Sequence, residues 1–245
     1  MEQSTPRGLS STALKLIAIT TMFIDHIGAV LIEGGILNGG MTLSLSDLES
    51  FSSGSVWWKT DLILRLIGRI AFPIFAFLLV EGFLHTRDIK KYGTRLLLFG
   101  FLSEIPFDLA VYHTPFYFGY QNVFFTLFFA LLALAGIRKW EVDKSLWKQI
   151  AAVVLCCLGA SLLSSDYGAF GVVFVVLLYV TRRNPRMQTI TGSLAVIWEL
   201  TACLAFIPIR MYNGTKGKGN FKYLFYAFYP LHLLFLYGVW RFFFL

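Results

Sequence analysis

Residues 14–32, LKLIAITTMFIDHIGAVLI, form a nineteen-residue apolar run that carries Asp25 and His26 side by side. An ionisable group near the middle of a membrane helix costs about 3 kcal/mol on insertion scales, so two adjacent ones persist only where a protein interior or a watery cavity receives them. The rest of the chain must build that interior. Later apolar runs place ionisable groups at matching depths: Arg65 and Arg69, then Glu104 and Asp108, then His232. The pattern is that of a bundle wrapped around a buried polar site.

Composition agrees with that reading. The chain is 57% hydrophobic and only 14% charged, against roughly 25% charged for a soluble domain. The expected fold class is all-α: a polytopic transmembrane helical bundle forming one domain over residues 1–245 and lying almost entirely in lipid. The net charge of +7 is spread over short Lys/Arg clusters between apolar runs, as topology signals and contacts to anionic membrane lipids are. Nucleic acid is therefore not an expected partner. Cys156 and Cys157 share one apolar run and Cys203 sits in another, which gives neither a disulfide framework nor a metal-ligand spacing. They read as packing residues, and no metal is expected.

The segment MEQSTPRGLSST is polar, and the run after it lacks a small-residue cleavage site, so it reads as a retained tail rather than a signal peptide. Runs long enough to span follow at 61–84, 94–112, 122–137, 149–163, 168–181, 189–208 and 223–244. With the first run these make eight spans, give or take two, the pair joined by SSDYG being short enough for a shallow hairpin. If the spans alternate, Lys15, then Arg87, Lys90, Lys91 and Arg95, then Arg138 to Lys148, then Arg182 to Arg186 fall on one side. Basic residues mark the cytoplasm, so residues 1–13 form a cytoplasmic tail. One connection breaks the rule, because IRMYNGTKGKGNFK puts Arg210, Lys216, Lys218 and Lys222 outside. Either a span is miscounted or that loop keeps its charge for a function. The long connection 33–60 is Gly- and Ser-rich and is expected to carry a short surface helix near 43–51.

Counting inward from the outer surface, Arg65 and Arg69 lie one helical turn apart on one span, and Asp108 and Glu104 lie one turn apart on the next. Equal depth places Arg65 level with Asp108 and Arg69 level with Glu104, and the second arginine is expected to reach Glu104 or Asp25, close to His26. Pro106, between the two acids, is expected to open its helix. Asp25 and His26 point about 100° apart on a helix, so they cannot form the carboxylate-imidazole bond that orients a base. His26 suits proton transfer or transient acylation, whereas Asp25 suits a partner to an arginine or to an acceptor. His232, in FYPLHLLF after Pro230, is a further candidate for contact with substrate.

The segments LKLIAITTMFIDHIGAVL, LRLIGRIAFPIFAFLLVEGFLHTR, RLLLFGFLSEIPFDL, QNVFFTL, DYGAFGV, YNGTKG and YAFYPLHLL together resemble the TraX family, named for a conjugation protein associated with N-terminal acetylation of pilin. Lys15, ten residues, then His26 is also similar to the basic-x10-His signature of the acyltransferase family three membrane enzymes. The resemblance implies a multi-pass enzyme of the bacterial cytoplasmic (inner) membrane, N-terminus inside, using acetyl-CoA as acyl donor. It implies catalytic roles for His26, Asp25, Glu104 and Arg69. Lys15, Arg87, Lys91 and Arg95 would grip the CoA phosphates, although the related Arg-x2-Arg pair is here Lys91 and Arg95 with three residues between them. Asp108, Tyr212, Asn213, Lys216, Lys222 and His232 would meet the acceptor: an envelope protein N-terminus, a glycan or a lipid-linked intermediate.

Two other classes compete with an acyltransferase. Buried Asp, Glu, His and Arg also build proton-coupled transporters, although no inverted repeat is visible here. A non-catalytic assembly factor for a surface structure would leave His26 without a task.

Overall fold

The computed structural model describes residues 8–37, 55–217 and 222–245. The expected helix near 43–51 and the Lys222 side chain lie outside the described residues. In chain order the helices are α1 (Ser11–Ile27), continued by a π-helical segment (Gly28–Ile36), α2 (Val56–Gly68), α3 (Ala71–His85), α4 (Ile89–Tyr112), α5 (Val123–Glu141), α6 (Leu146–Leu162), α7 (Gly168–Val180), α8 (Pro185–Ala195), α9 (Phe206–Arg210) and α10 (Lys222–Phe244). Polar residues set several of the starts by accepting an otherwise orphaned backbone N–H. Ser10 caps α1 through Ala13, Ser55 caps α2 through Trp58, Asp88 caps α4 through Lys91, and Asn122 caps α5 through Phe124. The protein is an all-α membrane protein: the helical stretches Ser11–Ile36, Val56–His85, Val123–Glu141 and Tyr223–Phe244 are long and apolar enough to cross, and Leu146–Leu162 and Gly168–Val180 are shorter apolar helices.

Two expectations about helix continuity fail in opposite directions. The run 61–84 is interrupted by a turn at Arg69 and Ile70, because Pro73 has no N–H and its ring opposes the carbonyl of Arg69 four residues earlier. Pro106, by contrast, sits inside an unbroken α4.

The helices divide into two compact units. The first comprises residues 1–78 and 189–225. Here α2 packs against both α1 and its π continuation, and the pairing is antiparallel: Asp25 meets Arg65 and Gly68, whereas Gly28 meets Asp61 and Leu64. The expected span 189–208 is not a continuous helix. After α8 the chain makes 3-10 turns at Ile197–Glu199 and Ala202–Ala205, with Leu200 at φ 57° between them. The break turns Glu199 toward Arg69 and lets the Thr201 hydroxyl bond to the Leu66 carbonyl, which the interruption after α2 exposes. Broken helices survive in apolar surroundings where protein groups satisfy the freed backbone in this way.

That break also resolves the basic loop. The Leu9 N–H donates to Met211 O at 2.7 Å, Asn213 N–H to Leu9 O at 2.9 Å, and Ser11 N–H to Thr215 O at 2.8 Å. The Lys216 carbonyl accepts from the hydroxyls of Ser11 and Thr12 at 3.0 and 2.7 Å. Residues 211–216 therefore lie at the N-terminal end of α1, the end that carries Lys15, and not at the opposite end as strict alternation requires. Counting 189–208 as a full crossing is what misplaced them.

The second unit comprises residues 79–188 and 226–245. Small residues let its helices approach closely, as is common where lipid supplies no driving force for association. Gly100 lies against Phe124 and Phe125, Gly136 against Ala152, and Gly159 against Phe129. Phe83 near the end of α3 meets the Tyr179 ring of α7 edge-on at 5.6 Å, and the Arg138 guanidinium of α5 lies 4.5 Å from the Phe83 ring centre. The basic ends of α3, α5 and α7 thus gather together, as the positive-inside pattern anticipates.

Candidate functional site

The expected site residues are shared between the two units. Lys15, Asp25, His26, Arg69, Tyr212, Asn213 and Lys216 belong to the first, and Arg87, Lys91, Arg95, Glu104, Asp108 and His232 to the second.

In the first unit Arg65, rather than Arg69, takes Asp25: its Nη1 donates to Oδ2 at 2.6 Å. The Arg65 Nε lies 3.8 Å from Glu33 of the π segment. The level pairing of Arg65 with Asp108 is therefore replaced by a pairing with the neighbouring helix. The cause is Gly68, one turn beyond Arg65, where an added Cβ would fall inside the Asp25 carboxylate. Only glycine admits Asp25 so close to α2. Arg69 instead lies 3.9 Å from buried Glu199 while remaining within electrostatic range of Asp25. The Gly68→Ala variant is expected to push Asp25 off Arg65 and lower stability by about 1–3 kcal/mol, the scale of overpacking. Thermal unfolding in detergent checks this, with a wild-type melting temperature as the contrary result.

His26 lies on α1 with Nδ1 2.8 Å from the Met22 carbonyl. A carbonyl only accepts, so Nδ1 carries the hydrogen and the neutral ring's lone pair is at Nε2. That is the tautomer a base needs. Lys15 begins the same helix, with Nζ 5.4 Å from the Phe225 ring centre. Eleven helical steps put Lys15 and His26 about 16 Å apart along the axis. Tyr212 meets Phe77 edge-on at 5.5 Å. Asn213 Oδ1 accepts from the Thr215 N–H and hydroxyl at 3.1 and 2.7 Å, so Asn213 serves to shape its own turn.

In the second unit Glu104 and Asp108 lie one turn apart on α4. Asn122 organises the first of them. It donates from Nδ2 to Glu104 Oε2 at 2.5 Å and to Gly100 O at 2.8 Å, while its Oδ1 caps α5. Asp108 accepts the Tyr117 N–H at 2.8 Å. The remaining oxygens, Glu104 Oε1 and Asp108 Oδ1, are buried without a hydrogen-bond partner among the described residues. Tyr112 stacks on Tyr117 at 3.9 Å, and the Tyr120 hydroxyl donates to Asp166 at 2.8 Å. His232 is buried, with Nδ1 2.8 Å from Phe228 O and its ring stacked on Phe228. At the basic end Lys91 lies 3.5 Å from Asp88, Arg87 is exposed, and Arg95 lies over Tyr92. The Lys91 N–H bond holds the Asp88 carboxyl below the usual carboxylate range.

Sequence reasoning passed over Glu33, Asp61, Asn122 and Glu199. Glu33 reads as a charge of the connection 33–60, and Asp61 opens the run 61–84 without being singled out. Glu199, in the run 189–208, carried the available signal, a lone acid in apolar sequence. Asn122 opens the QNVFFTL segment as an N-cap. Among the described residues no group of three or more His, Cys, Asp or Glu converges to hold a metal ion.

Half-buried ion pairs among apolar helices long enough to cross a membrane define the class as a polytopic helical membrane protein. The chain belongs to the TraX family, whose model, described as TraX protein, matches residues 10–240. It is 31% identical to the probable fimbrial assembly protein FimC, serogroup H1, of Dichelobacter nodosus, over 93% of this chain and 94% of that one. It is 26% identical to Protein TraX of Escherichia coli, over 75% of this chain and 62% of that one. No solved structure matches it.

Proposed function

We propose that the protein is an acyltransferase of the bacterial inner membrane that moves an acetyl or similar group from a cytoplasmic acyl-CoA to an amine or hydroxyl acceptor of the envelope. The observation that carries this is His26: a neutral imidazole fixed by Met22 as an Nε2 base, beside the Asp25–Arg65 pair, on the helix whose other end bears Lys15. His26 takes the acceptor's proton, or carries the acyl group itself. Asp25 and Arg65 fix the polar wall next to it, and Arg69 with Glu199 extends that wall. Glu104 and Asp108, with Asn122, form a separate candidate for contact with the acceptor. Lys15 in one unit and Arg87, Lys91 and Arg95 in the other are two separate candidates for the CoA phosphates. The N-terminus is inside, and the family name and the fimbrial relative favour a pilus protein among the possible acceptors.

Purified protein given labelled acetyl-CoA without acceptor is expected to release CoA slowly or to become labelled. Neutralising Lys15, or Lys91 with Arg95, is expected to weaken CoA binding by about 1–3 kcal/mol, the scale of charge-assisted hydrogen bonds. Calorimetry with CoA and with CoA lacking its 3′-phosphate reads which cluster holds that group. Neither CoA release nor labelling, with solute or proton uptake into liposomes instead, would establish a transporter. The name of the Dichelobacter relative, a probable fimbrial assembly protein, favours one second reading, a non-catalytic assembly factor, which requires no turnover of acetyl-CoA at all.

A further inference from the structure

Arg95 lies six residues into α4, about 9 Å along its axis, close to the ~5–8 Å that headgroups occupy on each side of a bilayer. It is half-buried. Its guanidinium stands 5.5 Å from the Tyr92 ring centre, and its Nε is buried without a hydrogen-bond partner among the described residues. Arg65 and Arg69 reach carboxylates, and Arg182 donates to the Tyr179 carbonyl at 2.6 Å. Arg95 reaches neither kind of acceptor among the described residues. A guanidinium taken partly out of water without an acceptor is costly, so the arrangement calls for an anion. The helix period shows the side from which it comes. Leu98, Leu102 and Ile105 are all exposed and follow Arg95 at i+3, i+7 and i+10, so the arginine heads the strip of α4 that faces lipid. Lys91, one turn before it, is exposed as well. Within residues 87–95 the cations Arg87, Lys90, Lys91 and Arg95 stand against Asp88 alone, and Asp88 is taken up in capping α4 and facing Lys91.

We propose that Arg95, with the Tyr92 ring beside it and Lys91 one turn away, is a subsite for a phosphoryl group reached from the lipid-facing strip of α4. The planar guanidinium fork pairs two phosphate oxygens at once, the phenol offers a further donor, and the second cation selects a ligand of net negative charge. The phosphodiester of an anionic phospholipid has this chemistry, with its acyl chains lying over Leu98 and Leu102. A phosphate of an acyl-CoA shares it, and only in that form does the inference rest on the acyl-transfer reading.

The test uses full-length protein in detergent, probed by native mass spectrometry with phosphatidylglycerol, with phosphatidylcholine and with CoA. Wild type is expected to retain phosphatidylglycerol at least tenfold more than phosphatidylcholine, and Arg95→Gln to lose that preference. Arg183→Gln, which removes the same charge from an exposed position, is expected to keep it. That result assigns the subsite to lipid. Loss of CoA binding in Arg95→Gln, without a lipid preference in wild type, assigns it instead to a phosphate of the donor. Phenylglyoxal, mapped by mass spectrometry, is expected to modify Arg95 in wild type and to be kept off by whichever ligand binds; this reading stands even if the variant does not fold. Lipid preference and CoA binding both unchanged in Arg95→Gln, equal losses in Arg183→Gln, or no protection of Arg95 by either ligand would each overturn the inference. Lipid retention through Arg95 without turnover of acetyl-CoA would keep the subsite and remove the acyltransferase. Turnover with Arg95 unprotected by either ligand would do the reverse.

Discussion

Replacing His26 with alanine is expected to lower acyl transfer by at least about a hundredfold, the lower bound for a positioned general base, and to leave a folded, inserted protein. The loss follows from the tautomer: Met22 O fixes the hydrogen on Nδ1, and alanine has no lone pair to replace Nε2. The retained fold follows from the lower cost of inserting a small apolar residue into a membrane helix than an imidazole. Transfer of label from acetyl-CoA, with circular dichroism and size exclusion to establish folding, measures both halves. A folded variant that keeps more than a few percent of activity would show that His26 is neither base nor acyl carrier. Full support of surface-fibre assembly by such a variant would favour the assembly-factor reading.

The second large effect is on stability. Arg65→Met leaves Asp25 without its 2.6 Å partner and removes the arginine nearest Glu33, so unfolding free energy is expected to fall by about 3 kcal/mol. That value is at the lower end for breaking a buried pair, because the two side chains retain 17% and 20% exposure. Adding Asp25→Leu to Arg65→Met is expected to recover part of the loss, since the double variant no longer buries that unpaired charge. A double-mutant cycle on detergent-solubilised protein isolates the coupling. Additive losses would mean that the contact is geometric proximity without energetic weight.

What the sequence determined by itself rests on patterns that lipid enforces locally. Apolar runs of spanning length had to become helices, because no other open backbone satisfies its hydrogen bonds in hydrocarbon. Asp25 and His26 in the first run, and Glu104 and Asp108 in a later one, had to meet protein rather than lipid. Those inferences need only composition and period, and the all-α membrane fold follows from them. Tertiary structure decided the partners. Gly68 has no side chain, and that space, invisible to any hydropathy pattern, gives Asp25 to Arg65. Glu199 reaches Arg69 only because the run 189–208 breaks into 3-10 turns, and the same break returns residues 211–216 to the N-terminal end of α1. Glu33 looked like a charge of the connection 33–60, and Asp61 like the mere start of the run 61–84. Glu33 comes within 3.8 Å of Arg65, and Gly28 against Asp61, because α2 runs antiparallel to α1 and its π continuation, a register set by packing between helices rather than by the order of residues within either one.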